Sequence, residues 1–249
     1  MADGVIDTRP TPPPTILPRN WPSNITFAPE YVISPDLGIE ALPPVSPDQQ
    51  LKHKFPTLHP KPYAAPLAQI AKIVDPKHPA YTQNGLFCLR DIPCNTHIVD
   101  YIGLVISADS DVVQNSDYVL DFGGGGTGCS ILAQDGVTEI RLAVDGQTIG
   151  NEGRMVNDAR GVPCNTFEQF DRRSKKAVKK AQNPEFAHFS SKSKPNVEFR
   201  SYVSSKNGEM RMGLFCCSTS GIRAGQELLI SYGKGYWLSR GVDLEEMYQ

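Results

Sequence analysis

Clustered metal ligands and long apolar runs are missing from this sequence. Six cysteines stand at positions 88, 94, 129, 164, 216 and 217, and no two of them form a C-x-x-C pair. Their spacing suits neither structural zinc nor a disulfide framework, and it reads as the thiols of a reducing, intracellular compartment. The five histidines (53, 59, 78, 97 and 188) are scattered. No His or carboxylate cluster has metal-ligand spacing, which argues against metal catalysis. No Ser-His-Asp or Cys-His arrangement stands out. No apolar run approaches the roughly 18 residues that span a bilayer, and no basic segment followed by an apolar block suggests a signal peptide. A membrane partner is therefore not expected. Asn24-Ile25-Thr26 has the spacing of a glycosylation sequon, which has no meaning without secretion. The formal charge of −2 points neither toward nucleic acid nor away from it.

Proline, by contrast, is plentiful at one end. Fifteen of the 21 prolines fall in residues 1–66, and the polyproline-like "RPTPPPTILPRNWP" cannot pack as regular structure. Residues 1–66 are expected to form a partly disordered arm, unstructured over the first 20 or so residues. From Trp21 onward, Phe27, Tyr31, Val32 and Ile33 suit an extended lie on the domain. After "LAQIAKIVDPKHPAY" the texture changes to short apolar runs broken by turns. "GLFCLRDIP" reads as a strand and turn, and "HIVDYIGLVIS" as one long strand. "SDYVLDF", "CSILA", "TEIRLAVD", "PNVEFRSYVSS", "EMRMGLFCCS" and "QELLISYG" read as further strands. Their β-branched and aromatic content predicts a mainly β fold of short strands and small sheets with few helices. The best helical candidates are "FEQFDRRSKKAVKKAQ" and the tail "LSRGVDLEEMYQ". "GLFC", Ile92 and "DYIG" are echoed by a second "GLFC", Ile222 and "SYG", as any two hairpins could be.

Two motifs reduce to ordinary loops. "GGGGTG" at 123–128 formally fits a dinucleotide fingerprint, but strand-like "CSILAQDGVTEI" follows it where a helix is needed. "RRSKKAVKK" at 172–180 carries six positive charges and reads as a solvated face, with nucleic-acid phosphate as the disfavoured alternative. Between Arg90 and Arg141 no Lys or Arg occurs, while eight acids do. If that face lines a groove, it favours a basic peptide.

The densest polar run is "GNEGRMVND" at 150–158, too polar for a core strand and too glycine-broken for a stable helix. It stands in an ordered series with "QNGLF" at 83–87, "DYIGLVIS", "SDYVLDF", Pro195-Asn196 and "GQELLISYGKGYW". In this order the series resembles the SET domain, the fold of most protein lysine methyltransferases. "QNGLF" resembles the family's G-x-G-Leu-Phe turn with Gln83 in place of the first glycine. "DYIGLVIS" is similar to its Tyr-x-Gly-Glu strand, with Leu104 for Glu. "GNEGRMVND" resembles the start of its "GN-x-x-R-F-x-N-H-S-C-x-P-N" signature, with Met155 for Phe and Asp158 for His.

The resemblance implies a SET domain over 67–237, with a C-terminal pseudoknot, an insertion at about 159–194 and a tail at 238–249. It also implies S-adenosylmethionine as cofactor, S-adenosylhomocysteine as product, and no metal, since the post-SET zinc cysteines are absent. Tyr232 and Tyr118 take the catalytic positions. Asn84, Gly85, Leu86, Tyr118, Arg154, Asn157, Asp158, Tyr232 and Trp237 take the cofactor positions, with Asp158 facing adenine largely through its backbone. Tyr101, Tyr118, Ile230 and Tyr232 line the substrate channel. The implied partner is a basic protein or peptide such as a histone tail, and the nucleus is favoured over the cytoplasm. The alternatives are a silent SET-fold binding module and a methyltransferase of a ribosomal or translation factor.

Overall fold

The computed structural model describes residues 17–59, 65–122, 130–133, 135–163 and 193–241. The start of the arm, the glycine run, the basic run and the helical candidate at 167–182 lie outside them, as does the tail beyond 241.

The arm is built into the fold. Its strands β1 (Thr26–Phe27) and β2 (Val32–Ile33) are followed by a 3-10 turn at Pro35–Leu37, helix α1 (Pro47–His53) and strand β3 (Thr57–Leu58). Ser46 caps α1 by accepting from Gln49 N at 3.2 Å, and Pro47 fills the first turn, where its missing N–H is no loss. The chain turns out at Lys54, whose φ is 54°. Each arm strand lies parallel against the edge of a later one. Thr26–Phe27 pairs with Ile149–Gly150, Val32–Ile33 with Leu104–Val105, and Thr57–Leu58 with Val203–Ser204. Proline tolerates such edge positions because only one side of the backbone needs partners. Leu37, Leu42 and Phe55 enter one hydrophobic core with Tyr101, Val105 and Met212.

The remaining strands follow in short order. β5 (Asn84–Cys88), the strand expected at "GLFC", pairs antiparallel with β4 (Ala68–Lys72), which no sequence pattern marked. β6 (His97–Asp100), β7 (Leu104–Ser107), helix α2 (Asp111–Asn115), β8 (Val119–Asp121), β9 (Ser130–Leu132) and β10 (Glu139–Asp145) come next. Then come β11 (Ile149–Gly150), a 3-10 turn at Glu152–Met155, β12 (Asn157–Asp158), β13 (Val197–Ser204), β14 (Met210–Cys216), β15 (Leu229–Ile230) and helix α3 (Gly233–Leu238). Among the described residues five small sheets result, the larger ones ordered β2-β7-β10-β8 and β3-β13-β14-β6. A second core joins Ile70, Leu86, Met155, Val156, Leu214 and Leu228. The two echoing segments meet: Ile92 and Ile222 exchange backbone hydrogen bonds at 2.7 and 2.8 Å.

The expected long strand "HIVDYIGLVIS" is two strands in different sheets, β6 against β14 and β7 against β10. The break has a distant cause. Asn151, buried, donates from Nδ2 to Asp100 O at 2.9 Å, while its Oδ1 accepts from Ile102 N at 3.2 Å and Gly153 N at 3.1 Å. A side-chain amide thus takes over backbone groups that a continuing strand would have paired. Gly103 completes the corner, since a Cβ there would stand 2.3 Å from Asp145 O. Asn151→Ala orphans these groups and is expected to destabilise the protein by about 2–4 kcal/mol. Chemical denaturation should show this as a lower midpoint at unchanged slope.

Candidate active site

β15 pairs in parallel with β12, setting Asn157 opposite Leu229 and Asp158 opposite Ile230. This pairing draws the C-terminal segment in beside the polar turn. Pro195-Asn196 locks the junction: Asn196 Oδ1 accepts from Leu229 N, and its Nδ2 donates to Glu227 O, both at 2.8 Å.

Most of the polarity of residues 150–158 is internal wiring. Asn151 holds the strand corner. Arg154 is 9% exposed and gives Nε to Gly146 O at 2.6 Å and Nη2 to Gln147 O at 3.3 Å. Its guanidinium lies 4.1 Å from the centre of the Tyr118 ring, which fixes that aromatic by a cation–π contact. Asn157 spends both amide protons on Asn84 O at 3.1 Å and Glu227 Oε1 at 2.9 Å. Its Oδ1, engaged by no described residue, is left as an acceptor. Asp158 accepts from Arg160 N at 2.7 Å with one oxygen, and from Tyr232 N at 2.6 Å and Trp237 Nε1 at 3.4 Å with the other.

Three hollows meet here. A cleft of about 880 Å³ is lined by Asn84, Tyr118, Arg154, Asn157, Asp158, Arg160, Tyr232 and Trp237. A second, of about 970 Å³, is lined by His53 to Pro56 of the arm, between α1 and β3, together with Asp117, Asp121, Glu198, Arg200 and Arg240. Between them lies a pocket of only about 120 Å³ walled by Tyr101, Tyr118, Phe199, Ile230 and Tyr232. Asp117 and Tyr236 line all three. Two of the three acids of the second cleft are paired, Asp117 with Arg240 and Glu198 with Arg200.

Two of the pocket's tyrosines, Tyr232 and Tyr101, are held as neutral phenols. Tyr232 donates its hydroxyl proton to Val156 O at 3.0 Å. Burial, reinforced by Tyr236 and Asp158 nearby, pushes its ionisation above the ordinary tyrosine range. Tyr101 donates to Tyr118 O at 2.6 Å, and full burial raises it likewise. Tyr101 therefore presents a ring rather than a free hydroxyl.

Several expected cofactor residues contribute differently from what the resemblance implied. Leu86 does not line the cleft: its side chain is fully buried in the core, and its carbonyl accepts from Leu228 N at 2.8 Å. Gly85 is required by packing within the chain, since a Cβ there would stand 2.6 Å from Glu227 Oε1 and 3.2 Å from Asn157 Nδ2. Gly85→Ala should push these two groups apart and weaken ligand binding in the cleft about tenfold, measured by calorimetry. Asp158 works through its carboxylate as well as its backbone. The Trp237 ring is already occupied, lying 4.7 Å from the Arg160 guanidinium and nearly parallel to the Tyr232 ring. Sequence reasoning missed Arg160, Glu227 and His78. The buried His78–Glu227 pair is joined at 3.0 Å just behind Asn157.

A mainly β chain thus folds a polar turn against its own C-terminal segment, and two clefts meet there at a tyrosine-walled pocket. The SET domain family model matches residues 83–233, and the chain belongs to that family. Its members are typically protein lysine methyltransferases that use S-adenosylmethionine. Among solved structures, ATXR5 in complex with histone H3.1 mono-methylated on R26 is similar at 15% identity. That match covers 85% of this chain and 82% of the other, with a TM-score of 0.45. An active polycomb repressive complex 2 in the basal state matches at 20% identity over 69% of this chain, with a TM-score of 0.40. The polycomb repressive complex 2 of Chaetomium thermophilum matches at 19% identity over 69% of this chain, with a TM-score of 0.38. The match spans 16% of each of these two polycomb chains. No curated protein matches the sequence. Among the described residues, no helix is long and apolar enough to cross a membrane.

Proposed function

We propose that the protein transfers a methyl group from S-adenosylmethionine to the side-chain amine of a lysine in a basic protein, with a histone tail as the first candidate. The observation that carries this reading is the narrow tyrosine pocket joining two clefts, one of them edged by the free Asn157 Oδ1.

The 880 Å³ cleft fits the cofactor by its chemistry. Asn157 Oδ1 is an acceptor suited to an ammonium group, and Arg160 Nη1 is a buried donor without a partner, suited to a carboxylate or an adenine nitrogen. Asn84 and Asn157 would hold the aminocarboxylate end, with Tyr118 and Tyr232 at the pocket mouth. When bound, S-adenosylmethionine supplies an electrophilic methyl group on a sulfonium. The chain's own task is to admit a lysine from the second cleft, strip its water and aim a neutral amine. A free lysine amine has a pKa near ~10.4, and a dry aromatic passage disfavours its ammonium form. Tyr101, Phe199 and Ile230 supply apolar walls around the aliphatic stem. The Tyr232 oxygen, its proton committed to Val156 O, turns lone pairs toward the passage, where they can accept from the amine or from a methyl C–H. Catalysis then consists of alignment and desolvation, with no covalent enzyme intermediate.

In the second cleft the three described acids are accompanied by Lys54, Arg200 and Arg240, so preference for a basic peptide rests on the pattern of the sequence rather than on net charge there. Incubation with radiolabelled cofactor, core histones and a cell lysate tests the reading. Labelling of histone alone supports the histone assignment, and labelling of another basic protein redirects the substrate. Cofactor binding without transfer to any protein would identify a silent binding module instead.

A further inference from the structure

The cofactor reading leaves a buried charge unexplained. Glu227 precedes Leu228-Leu229, and its side chain, like that of His78, is 1% exposed. Asn157 Nδ2 engages one carboxylate oxygen at 2.9 Å, and His78 Nε2 the other at 3.0 Å. His78 comes from the turn before β5, upstream of the 83–233 family match.

The protonation of this chain of groups follows from its geometry. His78 Nδ1 accepts the backbone N–H of Ala80 at 3.0 Å, so it carries no proton. The ring is therefore neutral, and its remaining N–H, on Nε2, points at Glu227. Glu227 then has acceptor oxygens facing both donors. It fixes the amide of Asn157, which must turn its NH₂ toward Glu227 and Asn84 O and its Oδ1 away from them. The carboxylate is buried, yet its side-chain partners are a neutral imidazole and a neutral amide, and no Lys or Arg among the described residues pairs with it. An unneutralised buried anion strongly favours a cation placed nearby.

Resting on the assignment of this cleft to S-adenosylmethionine, we propose that His78 is a positioning residue for ligand recognition. Through Glu227 it sets the orientation of Asn157, so that Oδ1 accepts from the ligand's ammonium group while the Glu227 charge favours that cation. The family match thus depends on a side chain from outside it. Gly85 is part of the device, because only a glycine leaves room for Glu227 and Asn157 to meet.

The test compares wild type, His78→Ala and His78→Gln by calorimetry, with S-adenosylhomocysteine and with its desamino analogue. His78→Ala should bind S-adenosylhomocysteine about tenfold more weakly, the loss expected when one charge-assisted hydrogen bond is misaligned. Binding of the desamino analogue should not change, since it lacks the group Asn157 receives. His78→Gln, whose amide N–H can still reach Glu227, should restore most of the affinity. Equal weakening of both ligands in a folded variant would mean general loosening and would overturn the proposal. So would unchanged binding of S-adenosylhomocysteine. Nitrogen-15 NMR gives a reading independent of any ligand. His78 should show an unprotonated Nδ1, and the Asn157 side-chain amide protons should exchange slowly in wild type and quickly in His78→Ala. If the protein binds neither ligand, the cofactor assignment fails by itself. The Asn157 amide signal then decides the positioning role: loss of protection in His78→Ala supports it, and no change sinks it.

Discussion

Tyr232→Phe should lower the rate of methyl transfer by roughly 10²–10³-fold while leaving cofactor affinity within about threefold of wild type. The substitution removes one oxygen and keeps the ring that packs 4.7 Å from Tyr236. What disappears is the phenolic oxygen that donates to Val156 O, on a residue lining both the 120 Å³ pocket and the 880 Å³ cleft. A group that aligns the reacting amine acts mainly at the transition state, so the loss belongs in kcat rather than in ligand binding. Equal loss of cofactor affinity and rate would show that Tyr232 merely builds the cleft. A second consequence concerns pH. Because burial raises the Tyr232 hydroxyl above its ordinary range, it stays protonated throughout neutral and mildly alkaline solution and cannot take a proton from the substrate. Raising the pH should therefore increase kcat/KM by supplying neutral lysine amine, with log kcat/KM climbing about one unit per pH unit from about pH 7 to 9. The slope should be the same in wild type and Tyr232→Phe. An inflection in this range that the substitution abolishes would make Tyr232 a base after all.

What could be read from the sequence, and what could not, divides by the distance over which residues act. The β-rich character and most strands were legible, because β-branched runs between Gly, Asn and Pro are local signals. The meeting of Asn157 with Tyr232 was legible only through the order of motifs, since they stand 75 positions apart in the sequence. The split of "HIVDYIGLVIS" was not legible. Its apolar pattern is unbroken, and the interruption comes from Asn151 and from the Asp145 carbonyl, both more than 40 residues away. The edge strands of the arm escaped for a similar reason. A parallel pairing of two residues, such as Thr57–Leu58 on β13, leaves no periodicity and depends wholly on its remote partner. His78 carried no signal either, being one histidine among scattered ones, and its meaning lies in Glu227, 149 residues further on. In the polar run 150–158 most of the hydrogen bonds serve the chain itself, and Asn157 Oδ1 accepts from no described residue.

Asp158, where the family signature has His, is expected to be indispensable here. Asp158→Ala should lower stability by about 2–3 kcal/mol and weaken cofactor binding at least tenfold. The carboxylate receives two backbone N–H groups and one indole N–H, and so connects β12, Arg160 two residues beyond it and α3. Without it, Tyr232 N and Arg160 N lose their acceptor, and α3 loses the tether that holds Trp237 against the cleft. α3 is otherwise held by ring contacts of its Tyr236 and Trp237 with Tyr232 and Arg160. It is a single short helix with no buried residue and no side-chain cap, far below the length at which a helix stands by itself. Asp158→Asn keeps one acceptor oxygen and turns an NH₂ toward either Arg160 N or the Tyr232 and Trp237 donors, so it should recover about half of the lost stability. Asp158→His, although it restores the residue of the signature, offers one acceptor nitrogen in place of two oxygens on opposite sides and should behave closer to Ala than to wild type. Thermal denaturation and cofactor calorimetry on the three variants give the order. If the His variant binds cofactor as tightly as wild type, the site works through the backbone at 158 and the carboxylate is dispensable. If His and Ala fail together while Asn is intermediate, the substitution of Asp for His is matched by the rest of the site: the carboxylate does in this chain, with Trp237 and Tyr232, what a separate C-terminal closure would otherwise have to do.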